Sequence, residues 1–151
     1  MKRIKFTVLT AIFCLSLNVC FAQTINNIDV KKLIEIMSVK YIDGYAYDTI
    51  LTSSDILVSY KAEYDELIVS IKRLDEMLDQ FKEEESKTKI YKKNKRQYRY
   101  FENDYISVLY YVMKKYNLVF YITTYASTSE NHLKLMELFN PDSIIAKSYL
   151  K

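Results

Sequence analysis

The chain of 151 residues reads as an all-α protein, an elongated antiparallel helical bundle built on a long helical hairpin. Three observations predict that class. Glycine and proline occur once each, at Gly44 and Pro141, whereas sheets and hairpins draw on frequent turn residues. Apolar residues recur at three- and four-residue spacings through the middle of the chain. An acidic block precedes a basic block, which is the arrangement that lets the end of one helix lie beside the start of the next.

The N-terminus carries Lys2, Arg3 and Lys5, then the apolar run Phe6–Val19, then Cys20-Phe21-Ala22. A basic segment, an apolar core and small side chains at positions −3 and −1 describe a secretory signal peptide. Cleavage is expected between Ala22 and Gln23, leaving 23–151 as a single all-helical domain, periplasmic or secreted. An uncleaved anchor is disfavoured, because the run is interrupted by Thr7, Thr10, Ser16 and Asn18 and falls short of the roughly 20 apolar residues a span requires. Lipidation at Cys20 is the second alternative, opposed by Val19 where a small residue is expected.

Both cysteines, Cys14 and Cys20, fall inside that segment, so the exported domain would rest on its apolar core alone. The segment holds three of the 22 basic residues and none of the 19 acidic ones. The remainder is balanced in charge, which argues against a general polyanion binder and against nucleic acid. Tryptophan is absent, and all fifteen tyrosines lie after the signal.

A first helix is expected from Asp29 to Asp43 on the spacing of Val30, Leu33, Ile34, Met37 and Tyr41, ended by Gly44 in the left-handed conformation. A loop with Tyr45 and Tyr47 follows, and Ser53 or Ser54 is the natural N-cap of the next helix. The second helix, 54–87, is predicted by Leu57, Tyr60, Tyr64, Leu67, Ile71, Leu74, Leu78 and Phe81. The third, 90–126, is predicted by Tyr98, Phe101, Tyr105, Leu109, Val112, Tyr116, Val119, Thr123 and Ala126. The turn lies near 86–89, with one continuous helix as the alternative. Ser127 to Glu130 has capping-box spacing ahead of Leu133, Met136 and Phe139. Asn140 and Pro141 suit the N-cap and first position of a last helix bearing Ile144, Ile145 and Tyr149.

Two surfaces are candidates for function. On the third helix, 100° per residue places Tyr110, Lys114, Leu118 and Tyr121 opposite the seam, with Tyr111 at the edge. With Tyr45 and Tyr47 they form a candidate partner-binding set; burial as ordinary core is the competing reading. Lys92, Lys93, Lys95, Arg96 and Arg99 are a candidate anionic-surface site, against the reading that these bases face Asp75, Glu76, Asp79 and Glu83–Glu85 across the hairpin. His132 is the only histidine, which excludes paired-histidine metal sites, and it is expected to be exposed near a helix start. Glu63, Asp65 and Glu66 read as a solvated helix face.

The expected function is therefore non-enzymatic, with no cofactor and no metal. The chain is read as binding another protein in the cell envelope, in the manner of an immunity protein, inhibitor, adaptor or chaperone, as monomer or homodimer. The alternative is an envelope-surface protein making peripheral contact with anionic lipid through 87–99.

Overall fold

A seven-stranded antiparallel sheet with helices on both faces stands in place of the expected all-α bundle. The computed structural model describes residues 27–150 apart from 53, 54, 64 and 126 and the side chain of Thr52. The signal-like segment with Cys14 and Cys20, the N-cap expected at Ser53 or Ser54, and the seam residues Tyr64 and Ala126 lie outside the described residues.

The chain runs through α1 (Val30–Ser38), β1 (Ala46–Thr52), β2 (Ile56–Lys61), β3 (Glu66–Arg73), α2 (Leu74–Glu83), β4 (Lys89–Lys93), β5 (Arg96–Glu102), β6 (Ile106–Met113), β7 (Leu118–Tyr125), α3 (Ser129–Phe139) and α4 (Pro141–Ser148). The strand order is β1-β2-β3-β7-β6-β5-β4. After the first three-stranded meander, α2 carries the chain across one face to the far edge. The second meander then returns until β7 pairs with β3, Ile71 opposite Phe120.

The expected helix 54–87 is thus β2, β3 and α2, and the expected helix 90–126 is β4 to β7; there is no coiled coil among the described residues. Burial in these segments has period two, with Ile56, Val58 and Tyr60 inside on β2 and Leu67, Val69 and Ile71 inside on β3. The opposite face also carries apolar residues such as Leu57 and Ile68. When both faces of a strand are apolar, every third or fourth residue is apolar as well, and a helical seam can be drawn through a strand. The real signal was the density of β-branched side chains, Val58, Ile68, Val69 and Ile71 and then Val108, Val112, Val119 and Ile122. Among the described residues of the first seam only Leu74, Leu78 and Phe81 are helical.

The turns also explain how a sheet forms with one glycine. Asn94, Lys95, Asn117 and Asn140 all adopt positive φ, between 51° and 63°. Asparagine tolerates the left-handed region because its short amide bonds locally, so it does the work expected of glycine. Gly44 does take positive φ, +79°, but α1 ends at Ser38. The glycine instead closes the turn between the bridged Ile42 and Tyr45 that leads into β1.

The C-terminal helices follow the expected spacing. Thr128, not Ser127, caps α3, its Oγ1 accepting from the Asn131 N–H at 3.3 Å. Asn140 and Pro141 open α4 as expected, and Tyr149 is its C-terminal cap residue. Helices α1, α3 and α4 roof one face of the sheet over a core that includes Leu33, Met37, Tyr60, Phe120, Phe139 and Ile145. Tyrosine hydroxyls pin this roof: Tyr60 donates to the Met37 carbonyl at 2.8 Å, Tyr100 to the Ser127 carbonyl at 2.7 Å and Tyr111 to Asp142 at 3.0 Å. On the other face α2 alone covers Val108, Tyr110 and Val119 with Met77 and Phe81. Its start is tied down by the Leu74 N–H bonding the Asn117 carbonyl at 2.9 Å.

Among the described residues no ion pair joins the two charge blocks, although Arg99 and Glu85 line one hollow beside α2. Asp75 pairs with Arg73 and Asp79 with Lys82, beside or within α2. The basic residues find distant acids: Lys89 pairs with Glu102 at 3.0 Å, Lys93 with Glu137 at 2.9 Å and Arg96 with Asp142 at 2.5 Å. Lys89, Lys92 and Lys93 line the exposed edge strand β4, where lysines discourage pairing with another chain.

Candidate functional site

The α2 face of the sheet holds the candidate sites, because one ten-residue helix cannot cover seven strands. Register places Leu51, Leu57, Ser70, Tyr121, Tyr110, Arg99 and Ile90 in one row across the whole face. The middle of this row lies under α2. Tyr110 is buried with its ring 5.2 Å from that of Phe81, edge to face, and 5.4 Å from that of Tyr121. The two ends of the row lie on either flank of the helix.

The first flank lies over β1, β2 and β3 and reaches the ends of β6 and β7 where Ile106 pairs with Tyr125. Leu51 is 59% exposed and Tyr125 57% exposed, while Leu57, Ile68, Thr123 and Ile106 are half-buried. Leu51, Leu57 and Ile68 belong to neither apolar core. The charges around this patch are satisfied within the chain. Lys61 pairs with Asp48 at 3.0 Å, Lys72 with Asp55 at 2.8 Å, and Ser59 donates to Glu66. Burial opposes the charge on Lys72, but its bonds to Asp55 and Tyr121 outweigh that and raise its pKa. The flank is an apolar and hydroxyl surface whose rim holds two ion pairs and the hydroxyl-bonded Glu66.

The second flank is a half-open cleft of about 540 Å³ between α2 and the β4–β5 hairpin. Leu78, Phe81 and Val112 are among its apolar walls, and Lys95, Arg99 and Lys114 among its cations; none of its lining residues is acidic. Arg99 lies 4.8 Å over the Phe81 ring and donates to the Phe81 carbonyl at 3.1 Å. Its Nε is one of two buried side-chain atoms without a hydrogen-bond partner among the described residues. Lys95 occupies the second turn position of the two-residue hairpin loop between Lys93 and Arg96, at φ +63°. A non-glycine residue there costs about 1 kcal/mol, at a site where glycine is strongly preferred.

The residues singled out from sequence are spread over both faces. Tyr110 and Tyr111 are neighbours on β6 and therefore point to opposite sides, and Leu118 and Tyr121 separate likewise on β7. Tyr110 and Leu118 are buried, Tyr111 and Tyr121 half-buried, and Lys114 exposed. The structure brings Tyr110 to Tyr121 on the α2 face, sets Tyr111 and Lys114 in one cleft and Lys114 with Leu118 in another hollow, so the stripe does not form one surface. Tyr45 donates to Asp65, and burial followed by that carboxylate pushes its pKa up to about 12. Tyr47 packs edge-on against Tyr60, with ring centroids 5.9 Å apart. Of the basic set, Lys95, Arg96 and Arg99 line the cleft, whereas Lys92 and Lys93 lie exposed on β4. Asp65 and Glu66 belong to the β2–β3 turn and the start of β3, not to a helix.

His132 is not exposed but fully buried in α3. Nδ1 faces the Thr128 carbonyl oxygen at 3.1 Å and Nε2 the Ser107 carbonyl oxygen at 3.2 Å, with the Tyr100 ring edge-on at 5.6 Å. Burial lowers its pKa from 6.5, against the pull of the two carbonyl oxygens. A histidine kept neutral in the fold binds its proton more readily when unfolded. The unfolded state therefore takes up more protons below pH 6.5, and stability that is complete above that pH is lost as pH falls toward the lower folded pKa. Urea unfolding at about pH 7.5 and about pH 5.5 is expected to show this loss, and His132→Gln to flatten it.

Among the described residues no group of three or more His, Cys, Asp or Glu is placed to hold a metal ion, and no helix is long and apolar enough to cross a membrane. No protein-family model, curated protein or solved structure matches the chain.

Proposed function

We propose that this is an exported, non-enzymatic protein that binds another protein in the cell envelope, through the uncovered flank of the sheet over β1, β2 and β3. Residues 1–22 supply the export pattern. The observation that carries the binding role is the unequal roofing of the sheet. Three helices close one face, and on the other one short helix leaves Leu51 and Tyr125 more than half exposed and Leu57 and Ile68 half-buried, outside both apolar cores.

The occupant is an amphipathic helix of the partner. Adjacent strands are about 4.8 Å apart, so three strands present a strip roughly 10 Å wide, which matches one helix with its side chains. A helix laid there beside α2 would complete the layer as α1, α3 and α4 complete the opposite one. The named rim groups come to three carboxylates, Asp48, Asp55 and Glu66, against two lysines, Lys61 and Lys72, so the apolar area rather than charge selects the occupant, and an apolar helix face fits best.

Photo-crosslinking residues placed at Leu51 and at Tyr125 are expected to give one heterologous adduct in the protein's own cells, mapping to an amphipathic helical segment. The same residue at Val39, exposed after α1, should give none, and Ile68→Glu should abolish the adduct while circular dichroism stays unchanged. Adducts only between copies of this chain, equal adducts from all three positions, or no adduct would overturn the reading.

A further inference from the structure

We propose that the cleft between α2 and the β4–β5 hairpin binds a single-chain anionic amphiphile, a fatty-acid-like carboxylate with its head at Lys95 and Lys114 and its chain along Leu78, Phe81 and Val112. The site lies on the opposite flank of α2 from the protein-docking strip, and the two stand or fall separately. Charge decides the head group. Arg96 is neutralised by Asp142, but Lys95, Arg99 and Lys114 have no carboxylate within ion-pair distance among the described residues, and no acidic side chain lines the cleft. Lys95 and Lys114, with Arg99 behind them, raise the local concentration of anions at this concavity.

The walls decide the rest of the ligand. A free anion has no use for an apolar floor, whereas a chain leaving the cations meets Val112, Leu78 and Phe81. A further hollow of about 200 Å³ continues along α2 past Phe81 and Arg99 to Lys82 and Glu85. The main cleft, at about 540 Å³, falls within the roughly 300–1,000 Å³ usual for small-molecule sites. Leu78, 48% exposed, would be covered by such a chain. Lys95 supports the same conclusion from the backbone. Lys95 stands at φ +63°, a position that favours glycine, and its side chain lines the cleft.

The test is calorimetric titration of the protein with dodecanoate below its micelle concentration. Saturable one-to-one binding is expected, tightening severalfold for each added pair of methylenes from octanoate upward, with no binding of dodecyltrimethylammonium. Lys95→Gly and Lys114→Gln should each weaken it about tenfold, and Lys95→Gly should do so with the melting temperature unchanged or raised, which separates loss of the site from loss of the fold. Unchanged affinity in both variants would overturn the proposal. So would competition by inorganic phosphate at equal affinity, which would mark a free-anion site. Binding to anionic phosphatidylglycerol vesicles with no binding of monomeric dodecanoate would overturn it in favour of a membrane-surface contact.

Discussion

Phe139→Ala is expected to lower the free energy of unfolding by about 3–5 kcal/mol, the range of buried aromatic truncations. Phe139 ends α3 and is fully buried, with its ring 5.6 Å from that of Tyr60 on β2 and 6.2 Å from that of Phe120 on β7. Removing it empties the point where the helical roof meets strands from both meanders. Asn140 follows in the left-handed conformation and fixes the direction of α4, so the segment cannot collapse easily into the void. Urea denaturation checks the result. A loss below about 1.5 kcal/mol would mean that the site relaxes and that the roof is not held through this ring.

Tyr110→Ala is the second large effect, expected at about 3 kcal/mol or more. Tyr110 is the floor of the α2 face, packed edge to face with Phe81 and tilted against Tyr121, and its hydroxyl accepts from Gln80 Nε2 at 3.2 Å. Burial is the main cause that raises its pKa, with Glu84 adding to it, so the phenol stays protonated through the neutral range. Tyr110→Phe keeps the ring and forfeits the hydroxyl contact, which predicts a loss of about 1 kcal/mol. The alanine variant should also loosen α2 and weaken both flanking surfaces together. Measuring unfolding of the two variants side by side separates ring packing from hydrogen bonding. Equal losses in both would show that the hydroxyl, not the ring, holds the helix.

How far the sites were legible follows from where their residues sit. Lys95, Arg96 and Arg99 stood out as a basic cluster, and they do line one cleft, because all three lie within a single hairpin strand and its turn. Lys114 was set instead in the tyrosine stripe, since only the β5–β6 pairing brings it to the same end of the sheet. The stripe itself assumed 100° per residue, whereas a strand turns 180°, so Tyr110 and Tyr111 parted and Tyr110 met Tyr121 across strands. The partly exposed strip of Leu51, Leu57, Ile68 and Tyr125 leaves no local signal in the sequence. Its members come from four strands, and no window of sequence contains them together. His132 was expected at the surface because α3 begins three residues earlier; Ser107 and Tyr100, far away in the chain, bury it.

By itself the sequence determined those features that depend on local chemistry. These are the charge balance after residue 22, the absence of cysteine beyond it, the helical periodicity of α1 and α3, the Asn140-Pro141 start of α4 and the left-handed backbone at Gly44. Tertiary structure decided that the two long central segments, apart from α2, are mostly strands, a choice their β-branched side chains favour but their apolar spacing leaves open. Apolar residues on both sides of a segment record that it will be covered on both sides, and they fit a period of two as well as one of 3.6. The choice falls to strand pairing, in which Leu67–Arg73 finds Leu118–Thr124 some fifty residues on. With the pairing came the unequal roofing of the two faces, and hence both surfaces on which function is proposed.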